Sequence, residues 1–140
     1  MNRIAKGLAL TAIAVSLAAP LVACEKSIPA PTEAGVCYQA IFVKDGSVRF
    51  NKLTDHEAKI ETCAAALEAM RLRFEVMGGA SEIVGSYQGN YIFLLKEGIF
   101  RSDSLKGARY PMLVRIGGGQ LAQPGAVPQS LLDQAKQQGQ

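Results

Sequence analysis

Residues 54–77 read TDHEAKIETCAAALEAMRLRFEVM and form the most strongly periodic stretch of the chain. Apolar side chains recur there at steps of three and four, which is the spacing of one face of an α-helix. These side chains are Ile60, Cys63, Leu67, Met70, Phe74 and Met77. Thr54 and Glu57 match a capping box at the helix start, Gly78 suits its end, and Glu68 falls on the charged side. The stretch therefore predicts one long helix that buries a single face against a sheet.

The segment before this helix predicts a β-hairpin. Residues 36–43 and 47–53 are rich in β-branched and aromatic side chains, and Asp45-Gly46 between them is typical of a two-residue turn. Centring the turn on that pair aligns Ile41 with Phe50 across the two strands.

The segment after the helix predicts further strands. Residues 81–88 and 91–96 form a second expected hairpin with its turn at Gly89-Asn90, a tight turn leads to 99–101, and 110–116 form a final strand. The predicted fold class is therefore α+β, in which a small antiparallel sheet of order β-β-α-β-β-β packs on one long helix.

The first 23 residues have the pattern of a secretory signal peptide. Arg3 and Lys6 precede an apolar run over 7–19, and small residues follow it. The alternative is a transmembrane anchor, but the run is shorter than the roughly 20 residues that span a bilayer.

The end of this signal carries a short motif. Leu21-Val22-Ala23-Cys24 resembles the lipobox of bacterial lipoprotein precursors. The resemblance implies cleavage before Cys24, diacylglycerol on the Cys24 sulfur and acylation, for example with palmitate, of the new amino terminus. It also implies a lipid anchor that faces the periplasm, and Glu25 in place of Asp favours the outer membrane over the inner one. The alternative is ordinary cleavage after Ala23.

Three cysteines leave one pair once Cys24 is assigned to lipid. The hairpin places Cys37 on the face of Ile41, and the helix spacing places Cys63 on the face of Leu67. In an oxidising compartment the two patterns predict a Cys37–Cys63 disulfide. The alternative is a redox pair, which the long spacing and mid-helix position disfavour.

The mature chain divides into three predicted parts: a flexible tether over 24–35, the α+β domain over 36–116, and a disordered tail over 117–140. Loss of Arg3 and Lys6 with the signal leaves 13 basic against 12 acidic residues. This balance does not favour a nucleic-acid partner.

Candidate sites for chemistry are sparse. His56 is the single histidine, and a solvated helix-start position explains it better than a metal or Ser-His site. We predict no catalytic residue, cofactor or metal. Tyr38, Phe42, Arg49 and Asn51 are expected on one sheet face, as a partner-binding surface or, alternatively, as covered core.

Two classes of function remain open on these grounds. The first is a non-enzymatic lipoprotein that binds an unknown protein partner in the cell envelope and is held at the membrane through Cys24. The second is a small secreted hydrolase or redox enzyme, which would need converging acids, bases or nucleophiles.

Overall fold

The computed structural model describes residues 27–126. The predicted signal peptide, Cys24 and residues 127–140 of the predicted tail lie outside this range. The described elements are β1 (Cys37–Phe42), β2 (Val48–Thr54), α1 (Ile60–Val76), β3 (Ile83–Tyr87), β4 (Asn90–Leu94), β5 (Ile99–Ser102), β6 (Tyr110–Arg115) and β7 (Leu121–Ala122). The strands form one antiparallel sheet of order β2-β1-β3-β4-β5-β6-β7. The predicted α+β class is confirmed. The predicted order β-β-α-β-β-β has three strands after the helix, whereas the structure has five, β3 to β7.

Helix α1 begins at Ile60, so the predicted start at Thr54 is wrong. Thr54 is the last residue of β2, and its hydroxyl donates to the Glu57 carboxylate at 2.7 Å instead of capping a helix. The Glu57 N–H donates to the carbonyl of Gly35 at 2.8 Å, which ties this linker to the segment before β1. The helix of 17 residues is about 25 Å long. Its predicted end is confirmed, with Gly78 in the left-handed region at φ 77°.

The buried face of α1 is rotated from the predicted one in its second half. Cys63 and Leu67 are buried as expected, but Met77 is 72% exposed. Glu68 and Arg71 are buried instead, which corrects the prediction that Glu68 faces solvent. An ionic cluster, described below, replaces apolar packing at this end.

The β1–β2 register differs by one residue from the predicted one. Ala40, and not Ile41, lies opposite Phe50. The cause is a loop of three residues, because the Val43 N–H donates to the Ser47 carbonyl at 2.9 Å and Gly46 adopts φ 85°. A shift of one residue moves the side chains of β2 to the opposite face.

The second hairpin is also shifted by one residue. Its turn is Gln88-Gly89, with φ values of 45° and 80°, rather than Gly89-Asn90. Positive φ at both central residues is typical of a type I′ turn, whose twist matches the adjoining strands. The apolar strand β4 lies at the centre of the sheet, as predicted.

Residues 27–35, the described part of the flexible tether predicted over 24–35, are packed against the sheet. The carbonyl of Ile28 accepts a hydrogen bond from the Tyr91 hydroxyl at 2.9 Å, and that of Pro31 accepts one from the Gly89 N–H at 2.8 Å. Ala30 is buried. Residues 27–35 are thus part of the domain.

The domain also extends past its predicted end at residue 116. A turn of three glycines leads into β7, where Ala122 pairs with Val114 of β6. The predicted disordered tail therefore begins with an ordered strand.

The sheet has two faces with different covers. On the helix face, α1 packs over a core that includes Leu67, Ile92, Leu94 and Ile99. The other face is called the groove face, after a groove that is described below. It holds a second cluster around Tyr91 and Phe93, together with Ala30, Phe50, Val84, Leu95, Phe100 and Leu105. The N-terminal segment and the 103–109 loop cover part of it.

Candidate functional site

A disulfide joins Cys37 of β1 to Cys63 of α1, as predicted. The two Cα atoms are 5.3 Å apart, and both residues are fully buried in the helix-face core. Both predicted alignments of the cysteines hold, because the register shift affects β2 and leaves the alternation along β1 unchanged. Thiol–disulfide exchange needs access to sulfur, so the buried position favours a structural role.

The four residues predicted as one partner surface are divided between the two faces. Tyr38 and Phe42 lie on the groove face with Phe50, whereas Arg49 and Asn51 lie on the helix face, because each cross-strand pair shares a face. Arg49 and Asn51 are exposed there, on the edge strand β2. The division follows from the one-residue register difference.

Tyr38 contacts other residues of the domain, whereas the ring of Phe42 is largely exposed to solvent. The Tyr38 hydroxyl donates to the Glu33 carboxylate, and its ring meets that of Phe50 edge-on at 6.4 Å between centroids. This hydrogen bond raises the pKa of Tyr38. Phe42 is 56% exposed, so its ring is available to a ligand.

A groove of about 800 Å³ lies on the groove face, beside Phe42. This volume is within the range of roughly 300–1,000 Å³ that is typical of small-molecule sites. The lining from the strands and their ends is mainly apolar: Phe42, Val48, Ile83, Val84, Phe93 and Leu95. Two other segments contribute to the lining, one at Ser27 and Ile28 and the other at Ser104, Leu105, Lys106 and Arg109.

A cationic side chain lies at the apolar lining. The guanidinium carbon of Arg109 is 4.1 Å from the centroid of the Phe93 ring. This cation–π contact positions the charge beside the apolar side chains of the groove lining, here called the apolar strip. Lys106 and Glu82 also line the groove. The site can therefore combine apolar contact with recognition of an anion.

A buried ionic cluster, formed by Glu68, Arg71 and Arg115, lies on the helix face. Each guanidinium donates to both oxygens of Glu68, Arg71 at 2.8 Å for both bonds and Arg115 at 2.6 and 2.9 Å. Burial raises the pKa of Glu68, but these hydrogen bonds and the two positive charges outweigh burial and lower it to about 2. The cluster holds α1 against β6.

His56 does not join either cluster. Its side chain is exposed, and its Nε2 lies 3.9 Å from an Asp55 oxygen. Residues 27–126 contain no group of three or more His, Cys, Asp or Glu side chains that could hold a metal ion. Within the same residues, no helix is long and apolar enough to cross a membrane.

Sequence reasoning missed both the groove and the ionic cluster. The spacing of Glu68 and Arg71 was visible as a helical ion pair, but nothing local points to Arg115, 47 positions further on. The groove depends on packing of the N-terminal segment and the 103–109 loop, which carry no periodic signal.

Comparisons with protein-family models, curated proteins and solved structures found no match for this chain.

Proposed function

We propose that this protein is a lipid-anchored, non-enzymatic binding module of the bacterial cell envelope, with the groove as its binding site. The observation that carries the proposal is the position of Ser27, which lines the groove three residues after Cys24. Three residues span at most about 11 Å. A lipid on Cys24 would therefore hold the groove close to the membrane surface, facing the periplasm.

The enzymatic alternative receives less support from the described residues. A redox enzyme needs accessible sulfur, and both cysteines of the disulfide are fully buried. A hydrolase built on His56 needs a cleft around that residue, and His56 does not line the groove.

Lipid labelling tests the anchor. In a Gram-negative host supplied with an alkyne-tagged fatty acid, the wild-type chain should be labelled and recovered with the membranes. The Cys24→Ala variant should carry no label. Density-gradient separation should place the wild type in the outer membrane. Equal labelling of both chains would refute acylation at Cys24.

Site-specific photo-cross-linking tests the groove in the same cells. A photoreactive amino acid at the exposed Phe42 should give adducts that mass spectrometry detects on groove peptides. The matched control places it at Met77, which is 72% exposed and lies at the helix end. The same adducts from both positions, or none from Phe42, would refute a binding function of the groove.

A further inference from the structure

We infer that the groove binds a long-chain fatty acid as its anion, with the hydrocarbon chain along the strands and the carboxylate on Arg109. This inference rests on the proposed binding function and names its ligand class. It is carried by the chemistry of the lining and by charge complementarity.

The apolar part of the groove suits a chain that has no polar groups of its own. Val84 and Phe93 lie directly opposite each other on β3 and β4, and Phe42 continues the surface over β1. Around Val84 and Phe93 the backbone groups are used by the sheet, because β3 and β4 each have strands on both sides. An extended peptide lying over these two residues would find no free strand edge to satisfy its own N–H and C=O groups, since the edge strand β2 reaches the groove only at Val48. A hydrocarbon chain needs no such partners and gains by leaving water.

The charged part of the groove suits a carboxylate. A guanidinium binds a carboxylate through two parallel hydrogen bonds, and Arg109 is positioned by its contact with Phe93 at 4.1 Å. Glu82 also lines the groove, so a headgroup with one negative charge meets less repulsion than a phosphate monoester with two. The apolar strip and the cation share the Phe93 ring, which places chain and carboxylate side by side.

A binding titration with cis-parinaric acid, a fluorescent 18-carbon fatty acid, tests the inference. The protein is the whole mature chain with Cys24→Ala, exported behind a cleavable signal that lacks a lipobox, so that no attached acyl group competes. Fluorescence should rise to saturation at one equivalent. Arg109→Gln should weaken binding of the acid about 10-fold or more, because a charge-assisted hydrogen-bonded pair is lost. The methyl ester should bind the unchanged protein as weakly as the acid binds the variant.

Arg101→Gln is the matched control. It removes the same charge from an exposed side chain on the helix face, opposite Ile92, and should leave affinity unchanged. Thermal melts of both variants verify that each is folded at the titration temperature. Equal affinity for acid and ester, or equal effects of the two substitutions, would overturn the inference.

The two proposals fail in different ways. If Phe42 gives specific adducts in cells but cis-parinaric acid does not bind, the groove is a binding site for another class of ligand and the fatty acid inference is wrong. If neither signal is seen, the proposed function fails with it.

Discussion

Arg115 of β6 donates two parallel hydrogen bonds of 2.6 and 2.9 Å to the carboxylate of Glu68 of α1, although the two residues are 47 positions apart. The Nη1 of Arg115 also donates to the carbonyl of Leu95 at 2.6 Å. Arg71 approaches the same carboxylate from within the helix. One carboxylate thus joins the helix to the sheet in the C-terminal half of α1, where Val76 and Met77 are exposed and not packed on the core.

Glu68→Gln should be strongly destabilising. The amide cannot balance two guanidinium charges, and Arg71 is 6% exposed, so the free energy of unfolding should fall by roughly 3–5 kcal/mol. Urea denaturation measures this loss. Glu75→Gln is the matched control, because Glu75 binds the same Arg71 at 2.9 Å with a side chain that is 52% exposed. It should cost under about 1 kcal/mol. Equal losses would show that the buried pairing is not what stabilises the cluster.

The contribution of Glu68 to the free energy of unfolding should decrease as the pH is lowered. The pKa of Glu68 is lowered from 4.5 to about 2 in the folded state. A carboxyl whose folded pKa lies below its unfolded pKa stabilises fully above the unfolded value, and this contribution is lost as pH falls through the folded value. The difference in unfolding free energy between wild type and Glu68→Gln should therefore shrink from about pH 5 to pH 2, by roughly 3 kcal/mol. A constant difference over this window would contradict the pairing.

Local patterns explain which features could be predicted from sequence. The end of the helix, the two hairpins and the alternation that brings Cys37 to Cys63 each depend on neighbouring residues or on a simple period. The first hairpin differs from the prediction because its loop has three residues, closed by the hydrogen bond from the Val43 N–H to the Ser47 carbonyl. The second keeps a turn of two residues, but one position earlier, at Gln88-Gly89. The groove and the Glu68–Arg115 pair join segments far apart in the chain, where one sequence gives no signal.

Removal of the disulfide should lower stability without releasing the protein from the membrane. The double variant Cys37→Ala/Cys63→Ala opens a cross-link between residues 26 positions apart, at an expected cost of roughly 2–5 kcal/mol. Denaturant melts measure it, and mass spectrometry of non-reduced peptides should show the linked pair in the wild type. Membrane recovery should be unchanged, because the proposed anchor at Cys24 is chemically separate. Free thiols at both positions in exported wild-type protein would disprove the bond.

Ser86→Ala should be neutral or stabilising. The hydroxyl of Ser86 is buried on the groove face and has no hydrogen-bond partner in the described part of the chain. Removing an unsatisfied buried hydroxyl removes a desolvation cost of about 1–3 kcal/mol. The control is Ser102→Ala, which deletes a hydroxyl that donates to the Ser104 carbonyl at 2.7 Å and should therefore destabilise. A loss at Ser86 as large as that at Ser102 would mean that the Ser86 hydroxyl is satisfied.

Gly85→Ala should reveal how closely the helix approaches the sheet. A Cβ at this position would lie 2.3 Å from the Cδ1 atom of Leu67 and 2.8 Å from the backbone carbonyl oxygen of Tyr38. Overpacking of this kind costs about 1–3 kcal/mol, and Leu67→Ala alone should cost about 2–5 kcal/mol by leaving a cavity. In the double variant the new methyl group lies where the leucine was removed. Its total cost should therefore be below the sum of the two single costs, as measured by urea denaturation.

The matched control for this cycle combines Gly85→Ala with Leu72→Ala. Leu72 lies on the same helix but is 36% exposed, and it is not among the atoms nearest to the new methyl group. Those two costs should add to within about 0.5 kcal/mol. Additive costs for the Gly85–Leu67 pair as well would show that the leucine moves aside freely, and the close approach of α1 to β3 would then not depend on glycine.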